Sequence, residues 1–199
     1  MTRNNGTADR VQAMLNFIGG DDMLDALMEE RATIEVKMVS ILNLLGTVAI
    51  PAMTEPFVAK DKFRKGSEIV KFHGFYGNFW DDFLFGFSKI EELRSERVLR
   101  YGNLTKSSFR GSIIKELGGE AKAETTLFEL YDLLTRQGNG EEGDLLTDGY
   151  ANIFYVRNIS GVLCAVFVFW RDGGWRVRNY SVKYSSSDST CRRIFFLDY

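Results

Sequence analysis

One histidine, two cysteines and two prolines are all that this 199-residue chain holds of three residue types often recruited for catalysis, cross-linking and chain reversal. A lone histidine excludes a His-rich metal site and obliges any Ser-His-Asp triad to use His73. Cys164 and Cys191 are too few for a disulfide framework and form no C-x-x-C pair. No G-x-S-x-G elbow occurs. The stretch Gly138-Asn-Gly-Glu-Glu-Gly143 has glycines but also two acids that would repel phosphate, so it is no phosphate loop. Nothing in the sequence calls for a cofactor or a metal.

Long apolar runs are missing as well. No segment reaches the ~18 consecutive apolar residues that span a bilayer, and the opening Met1-Thr-Arg-Asn-Asn-Gly6 has no apolar targeting core. A soluble, cytoplasmic protein without a membrane partner is expected. The N-x-[S/T] triplets at Asn5, Asn103 and Asn158 then carry no glycan. A dominant charge sign is also lacking, since 25 basic and 27 acidic residues leave a net −2. The balance is uneven along the chain. Residues 1–150 hold 18 basic and 24 acidic side chains, net −6, whereas residues 151–199 hold seven and three, net +4.

Aromatic residues are plentiful: 16 Phe, eight Tyr and three Trp, enough to supply a ring-rich core. Their setting points to a single α+β domain over residues 1–199, with residues 1–10 polar and frayed. Val11, Met14, Leu15 and Ile18 repeat at helical spacing before Gly19-Gly20, and Met23, Leu24, Leu27 and Met28 follow an acidic cap, which predicts a short helical hairpin. Ile34, Val36 and the run Val39–Leu45 before Gly46, with Thr47–Ile50 after it, predict two strands, although Ile41–Leu45 equally fits a buried helical turn. Ile69–Phe72 predicts a third strand. Asn78 can cap a helix with Phe79, Trp80, Phe83 and Leu84 on one face. After a strand at Val98–Leu104, a second helical hairpin is predicted, with one helix capped at Ser107 or Ser108 and another running from about Ala121 to Gln137.

The 12-residue loop 138–149, with four glycines and four acids, is long enough to be mobile or functional. Beyond it, Ile153–Arg157, Val162–Trp170 and Trp175–Tyr184 are β-rich runs split by Asn158-Ile-Ser-Gly161 and Arg171-Asp-Gly-Gly174, both hairpin turn chemistry. With a last strand at Ile194–Leu197, the C-terminal third is predicted to be an antiparallel β-meander, packed with the two helical hairpins.

Four stretches resemble a group of small uncharacterised bacterial proteins: Ala13-Met-Leu-Asn-Phe-Ile-Gly-Gly20, Val98–Thr105, Glu116–Tyr131 and Tyr150–Val182. Beyond Val182 the chain departs from them. The resemblance implies a bacterial origin, and it brings neither an activity nor a catalytic residue with it.

Two constellations bear on function. His73 lies near Asp81 and Asp82 in Lys71–Asp82, and at a strand-to-helix corner the three could form an acid–base cluster. The plainer alternative is that the aromatics of this segment fill the core while His73 and the aspartates face solvent. The second constellation is the strand 175–184, where alternation places Trp175, Val177, Asn179, Ser181 and Lys183 on one face and Arg176, Arg178, Tyr180, Val182 and Tyr184 on the other. Neither face is cleanly apolar. Trp175, Arg176, Arg178, Tyr180 and Tyr184 are therefore the candidate binding residues, because Arg and aromatic side chains dominate protein-interaction hot spots. Interleaved Arg and Tyr on a sheet also suits single-stranded nucleic acid, and the arginines could instead pair with acids from residues 1–150. A non-enzymatic protein-interaction module is expected, with a His73 enzyme or a weak nucleic-acid binder as alternatives.

Overall fold

The computed structural model describes residues 40–86, 88–183 and 186–198, together with Asn16, Asp22, Asp25 and Glu29. The chain separates into two compact units, residues 1–39 and 40–199. In the first, Asn16, Asp22 and Asp25 are helical, and the Glu29 N–H donates to the Asp25 carbonyl over 2.9 Å. The predicted N-terminal hairpin otherwise lies outside the described residues, as do the first ten residues and the predicted strand at 34–36. Among the described residues no helix is long and apolar enough to cross a membrane.

The second unit is mixed α and β, built on a seven-stranded sheet in the order β1 (Leu42–Ile50), β5 (Arg97–Leu104), β11 (Arg193–Leu197), β7 (Asn152–Arg157), β8 (Leu163–Arg171), β9 (Gly174–Ser181) and β3 (Phe72–Gly77). Short pairs flank it: β2 (Phe57–Val58) with β4 (Ile90–Glu91), and β6 (Ser108–Phe109) with β10 (Ser187–Asp188). The helices are α1 (Ala59–Lys62), α2 (Arg110–Glu116), α3 (Glu120–Ala123) and α4 (Leu127–Arg136), with a π-helical turn at Trp80–Leu84.

β7, β8 and β9 pair antiparallel in sequence order. The link between β8 and β9 is set by Asp172 and Gly173, whose φ values of 54° and 75° are what a two-residue turn matching strand twist requires. The final strand corrects the all-antiparallel expectation. β11 does not extend the meander beyond β9. It returns to the far side of β7, runs parallel to it, and pairs antiparallel with β5. β3 likewise joins β9 in parallel, so the sheet is mixed. A strand with apolar residues on both faces does best inside a sheet covered on both sides, and Ile194–Leu197 are all buried there.

Alternation divides the strand residues between two cores. On one face Phe154, Val156, Val166, Val168, Trp175 and Val177 pack against Leu127, Leu130, Leu133 and Leu134 of α4. The same core includes a chain of rings, Phe63, Phe72, Phe75, Phe79 and Phe83, with neighbouring centroids 5.1–5.7 Å apart. On the other face Ile153, Tyr155, Ala165, Phe167 and Ile194 meet Ile113, Ile114 and Leu117 of α2 and its exit.

Local boundaries differ from the sequence pattern for physical reasons. The third strand begins at Phe72, not Ile69, which is exposed; the chain at 71 is held by Gly138, whose carbonyl accepts from Lys71 N–H at 2.9 Å. Trp80 leaves the apolar helical face because the turn is π-wound, with Phe85 N–H bonding to the Trp80 carbonyl at 2.7 Å. The predicted helix 121–137 is two helices. Between them Glu124 bridges to Tyr155 and Thr126 turns extended to cap α4. The Thr126 hydroxyl accepts from Glu129 N–H at 3.1 Å and the Glu129 carboxylate accepts from Thr126 N–H at 2.8 Å, a full capping box. Neither Ser107 nor Ser108 caps α2. Phe109 occupies the cap position with its side chain exposed, Ser108 pairs in β6, and Arg110 is carried inward.

Candidate functional site

The histidine cluster does not assemble. His73 is exposed on β3, where the pairing with β9 slips between Phe72 and Gly74, and it makes no hydrogen bond or ion pair with any described residue. Asp81 is exposed too. Asp82 turns the other way: its carboxylate accepts from Asn158 Nδ2 at 2.8 Å and Asn179 Nδ2 at 2.6 Å, and its carbonyl accepts from Ile159 N–H at 3.2 Å. Asp82 thus fastens the π-turn to the β7–β8 connection and to β9. Cys164 is buried nearby, and burial, followed by the Asp82 charge, pushes its thiol up to about 11. Cys191 is exposed.

The β9 residues separate by face. Trp175 is wholly buried and donates its indole N–H to the Gln137 carbonyl at 2.8 Å. It is a core side chain and meets no partner surface. Arg176 is held by Asp172 at 2.5 Å and lies 6.0 Å from the Tyr76 ring centroid. Tyr184 lies outside the described residues. Arg178 and Tyr180 are different, because both line a cleft of 590 Å³ on the sheet face that carries α2.

This cleft is built from segments far apart in the chain. The register of β8 with β9 sets Phe167 opposite Arg178 and Phe169 opposite Arg176, so both phenylalanines share a face with the arginines. Arg178 stacks on Phe169 with its guanidinium carbon 4.8 Å from the ring centroid. Arg110 and Arg192 lie over Phe167 at 5.2 and 5.4 Å, and Arg110 also lies 5.3 Å from the Tyr180 centroid. Arg171, Tyr150 and the serines 186, 187 and 189 complete the lining with Asp188.

Asp188 is the anchor. It is completely buried, and the β6–β10 pair sets it opposite Ser108, two residues from Arg110. Its carboxylate accepts from Arg110 Nε at 3.2 Å and Arg192 Nη1 at 2.5 Å. The Tyr155 phenol beneath is pushed above its ordinary range by burial and then by the Asp188 charge, with Arg110 opposing. Among the described lining residues four arginines stand with one acid, a formal +3; Asp188 holds Arg110 and Arg192, while Arg171 reaches the neighbouring Asp172 at 3.9 Å. Arg178 makes no hydrogen bond or ion pair with a described residue, and its Nε is buried unpaired, as is Arg110 Nη1. A guanidinium stacked on a ring keeps its in-plane N–H groups free for carboxylate or phosphate.

Sequence reasoning missed Arg110, Phe167, Phe169, Asp188 and Arg192. For the two phenylalanines a signal existed: a two-residue turn at Asp172-Gly173 dictates which β8 residue faces Arg178. Arg110 and Asp188 are 78 residues apart, and no local pattern joins them.

The acidic loop 138–149 is structural. Buried Gln137 donates to the carbonyls of Glu141 and Leu145 at 2.7 and 3.0 Å and accepts from Leu145 N–H at 2.8 Å, while buried Asn152 clamps Leu146 from the other side. Glu141 is exposed, and hydrogen bonds from backbone N–H groups, its own and that of Asn139, lower its carboxyl below the usual range. No protein-family model, no curated protein and no solved structure matches the chain.

Proposed function

We propose that the protein is a non-enzymatic interaction module of a bacterial cell, and that it docks an acidic segment of a partner protein in the Arg178–Tyr180 cleft. The observation that carries this is the cation excess: Arg110, Arg171, Arg178 and Arg192 line one concavity in which Asp188 is the one acid among the described lining residues, with Asp172 only loosely against Arg171 at 3.9 Å. Folding such a cluster costs mutual repulsion, which an incoming anion relieves. The aromatic floor and half-exposed Tyr180 match the composition of interface hot spots.

Single-stranded nucleic acid is the second reading, favoured by the exposed rings of Tyr76, Tyr150 and Tyr180. It ranks below the first because guanidinium groups already cover Phe167 and Phe169, the rings on the cleft floor. A small enzyme working through His73 has no supporting geometry, since His73, Asp81 and Asp82 do not converge.

The test is a fluorescence-anisotropy titration of a labelled glutamate-rich peptide and a labelled oligothymidylate against the wild type and an Arg171→Ala/Arg178→Ala/Tyr180→Ala variant. The peptide is expected to bind the wild type and lose affinity for the variant. Peptide binding that is absent, or indifferent to the three substitutions, refutes the proposal. Tighter binding of the oligonucleotide selects the second reading.

A further inference from the structure

The cleft is over-supplied with donors for a carboxylate. Arg110 gives Nε and Nη2 to Asp188 and keeps Nη1 unpartnered although the residue is only 5% exposed. Arg192 gives Nη1 to the same carboxylate. Arg178 gives none of its donors to any described residue and is held in place by its stack on Phe169. A single carboxylate would offset one of the three excess charges and could engage one guanidinium fork. A phosphate monoester carries about −1.5 to −2 charges near neutrality and three strong acceptor oxygens, so it can engage several guanidinium groups at once. Hydroxyls of Ser187 and Ser189 line the same cleft and can donate to the remaining oxygens.

Resting on the docking proposal above, we infer that the group this cleft takes is a phosphate monoester borne on a side chain of the partner protein, with Arg178 as its principal fork. Arg110 and Arg192, fixed by Asp188, supply the positive backing, and Arg171 stands at the exposed side.

Calorimetric titration of the full chain tests this with three peptides of one sequence carrying phosphoserine, glutamate or serine at the central position, and with free phosphoserine. The phosphopeptide is expected to bind at least roughly tenfold tighter than the glutamate peptide, as bidentate charge-assisted bonds to phosphate dictate. Arg178→Lys keeps the charge but not the fork and is expected to erase most of that margin. Because Arg178 is half-buried, its thermal midpoint is measured alongside, and Arg171→Gln, at an exposed position, serves as the second variant with a smaller loss. Equal affinity for the phosphoserine and glutamate peptides overturns the inference and leaves the docking proposal standing. Free phosphoserine binding as tightly as the phosphopeptide overturns the assignment to a protein partner. Failure of both charged peptides to bind removes the docking proposal itself.

Discussion

At the scale of single residues, Asp188 and Arg178 are opposites within one cleft. Asp188 is buried and offsets two arginines; removing it leaves Arg110 as an uncompensated buried charge beside Arg192. Breaking such a buried pair costs about 3–5 kcal/mol. Arg178 has no acid partner, and its stack on Phe169 is a cation–π contact worth about 0.5–1 kcal/mol at a partly exposed site. Asp188→Ala is therefore expected to lower the urea midpoint steeply and Arg178→Ala hardly at all, with the effect on binding reversed in order of interest. Equal destabilisation by both would make Arg178 a structural residue and empty the cleft of its functional meaning.

Among the elements, the connection after α4 and the start of α4 each invite a test. Gly138 sits where an added Cβ would lie 1.9 Å from the Ile69 carbonyl oxygen, a backbone atom that cannot swing aside. Gly138→Ala is expected to shift the 138–149 loop and destabilise the fold by about 1–3 kcal/mol, the range of overpacking penalties, readable as a lowered denaturant midpoint. A neutral result would mean that the Lys71–Gly138 hydrogen bond is dispensable.

The start of α4 gathers two buried carboxylates. Glu91 accepts from Leu127 and Phe128 N–H at 2.9 and 2.8 Å, and Glu129 closes the capping box while meeting Arg97 at 3.1 Å. Burial nonetheless raises both carboxyls above the ordinary value of 4.5; the backbone donors oppose it at Glu91, and Arg97 opposes it first at Glu129. A proton is thus held more tightly in the folded state than in the unfolded one. The stability linked to these groups is fully present below pH 4.5 and is lost as pH rises through the raised folded values. Unfolding free energy from urea melts is expected to fall from mildly acidic pH toward neutrality, and Glu91→Gln to flatten that slope. A wild-type profile that climbs over the same interval would contradict the burial argument.

On the scale of the whole molecule, a chain of net −2 carries a cleft of formal +3. Of the six arginines of the basic C-terminal stretch, three sit in close ion pairs, Arg157 with Glu120 and Glu124, Arg176 with Asp172 and Arg192 with Asp188, and Arg193 is taken up by Asn103 and the Asp144 carbonyl. The other two both line the cleft: Arg178 has no acid partner among the described residues and Arg171 only a loose contact with Asp172 at 3.9 Å, with Arg110 added from outside that stretch. Screening over a Debye length of about 10 Å at 0.1 M salt weakens attraction at such a partly open site. Affinity for a glutamate-rich peptide is expected to drop as salt rises, and Arg171→Gln to make the drop shallower. A salt-insensitive affinity would point to apolar contact as the source of binding.

Much of this protein was legible in its amino-acid order because the governing forces act between neighbours. Nine consecutive apolar residues at 162–170 demand a strand covered on both faces, and Asp172-Gly173 demands a tight turn. The alternation along Trp175–Ser181 separates Trp175 and Val177 from Arg178 and Tyr180, whatever lies opposite. Which of those faces opens to solvent was decided elsewhere, by α4 covering Trp175 and by α2 leaving Tyr180 partly bare. The parallel return of β11 beside β7, the splitting of α4 from α3 at Thr126, and the meeting of Arg110 with Asp188 all depend on contacts between residues 30 to 80 positions apart. Such contacts leave no periodicity, because a buried charge is tolerated wherever the folded chain brings it a partner and only the assembled fold says where that is.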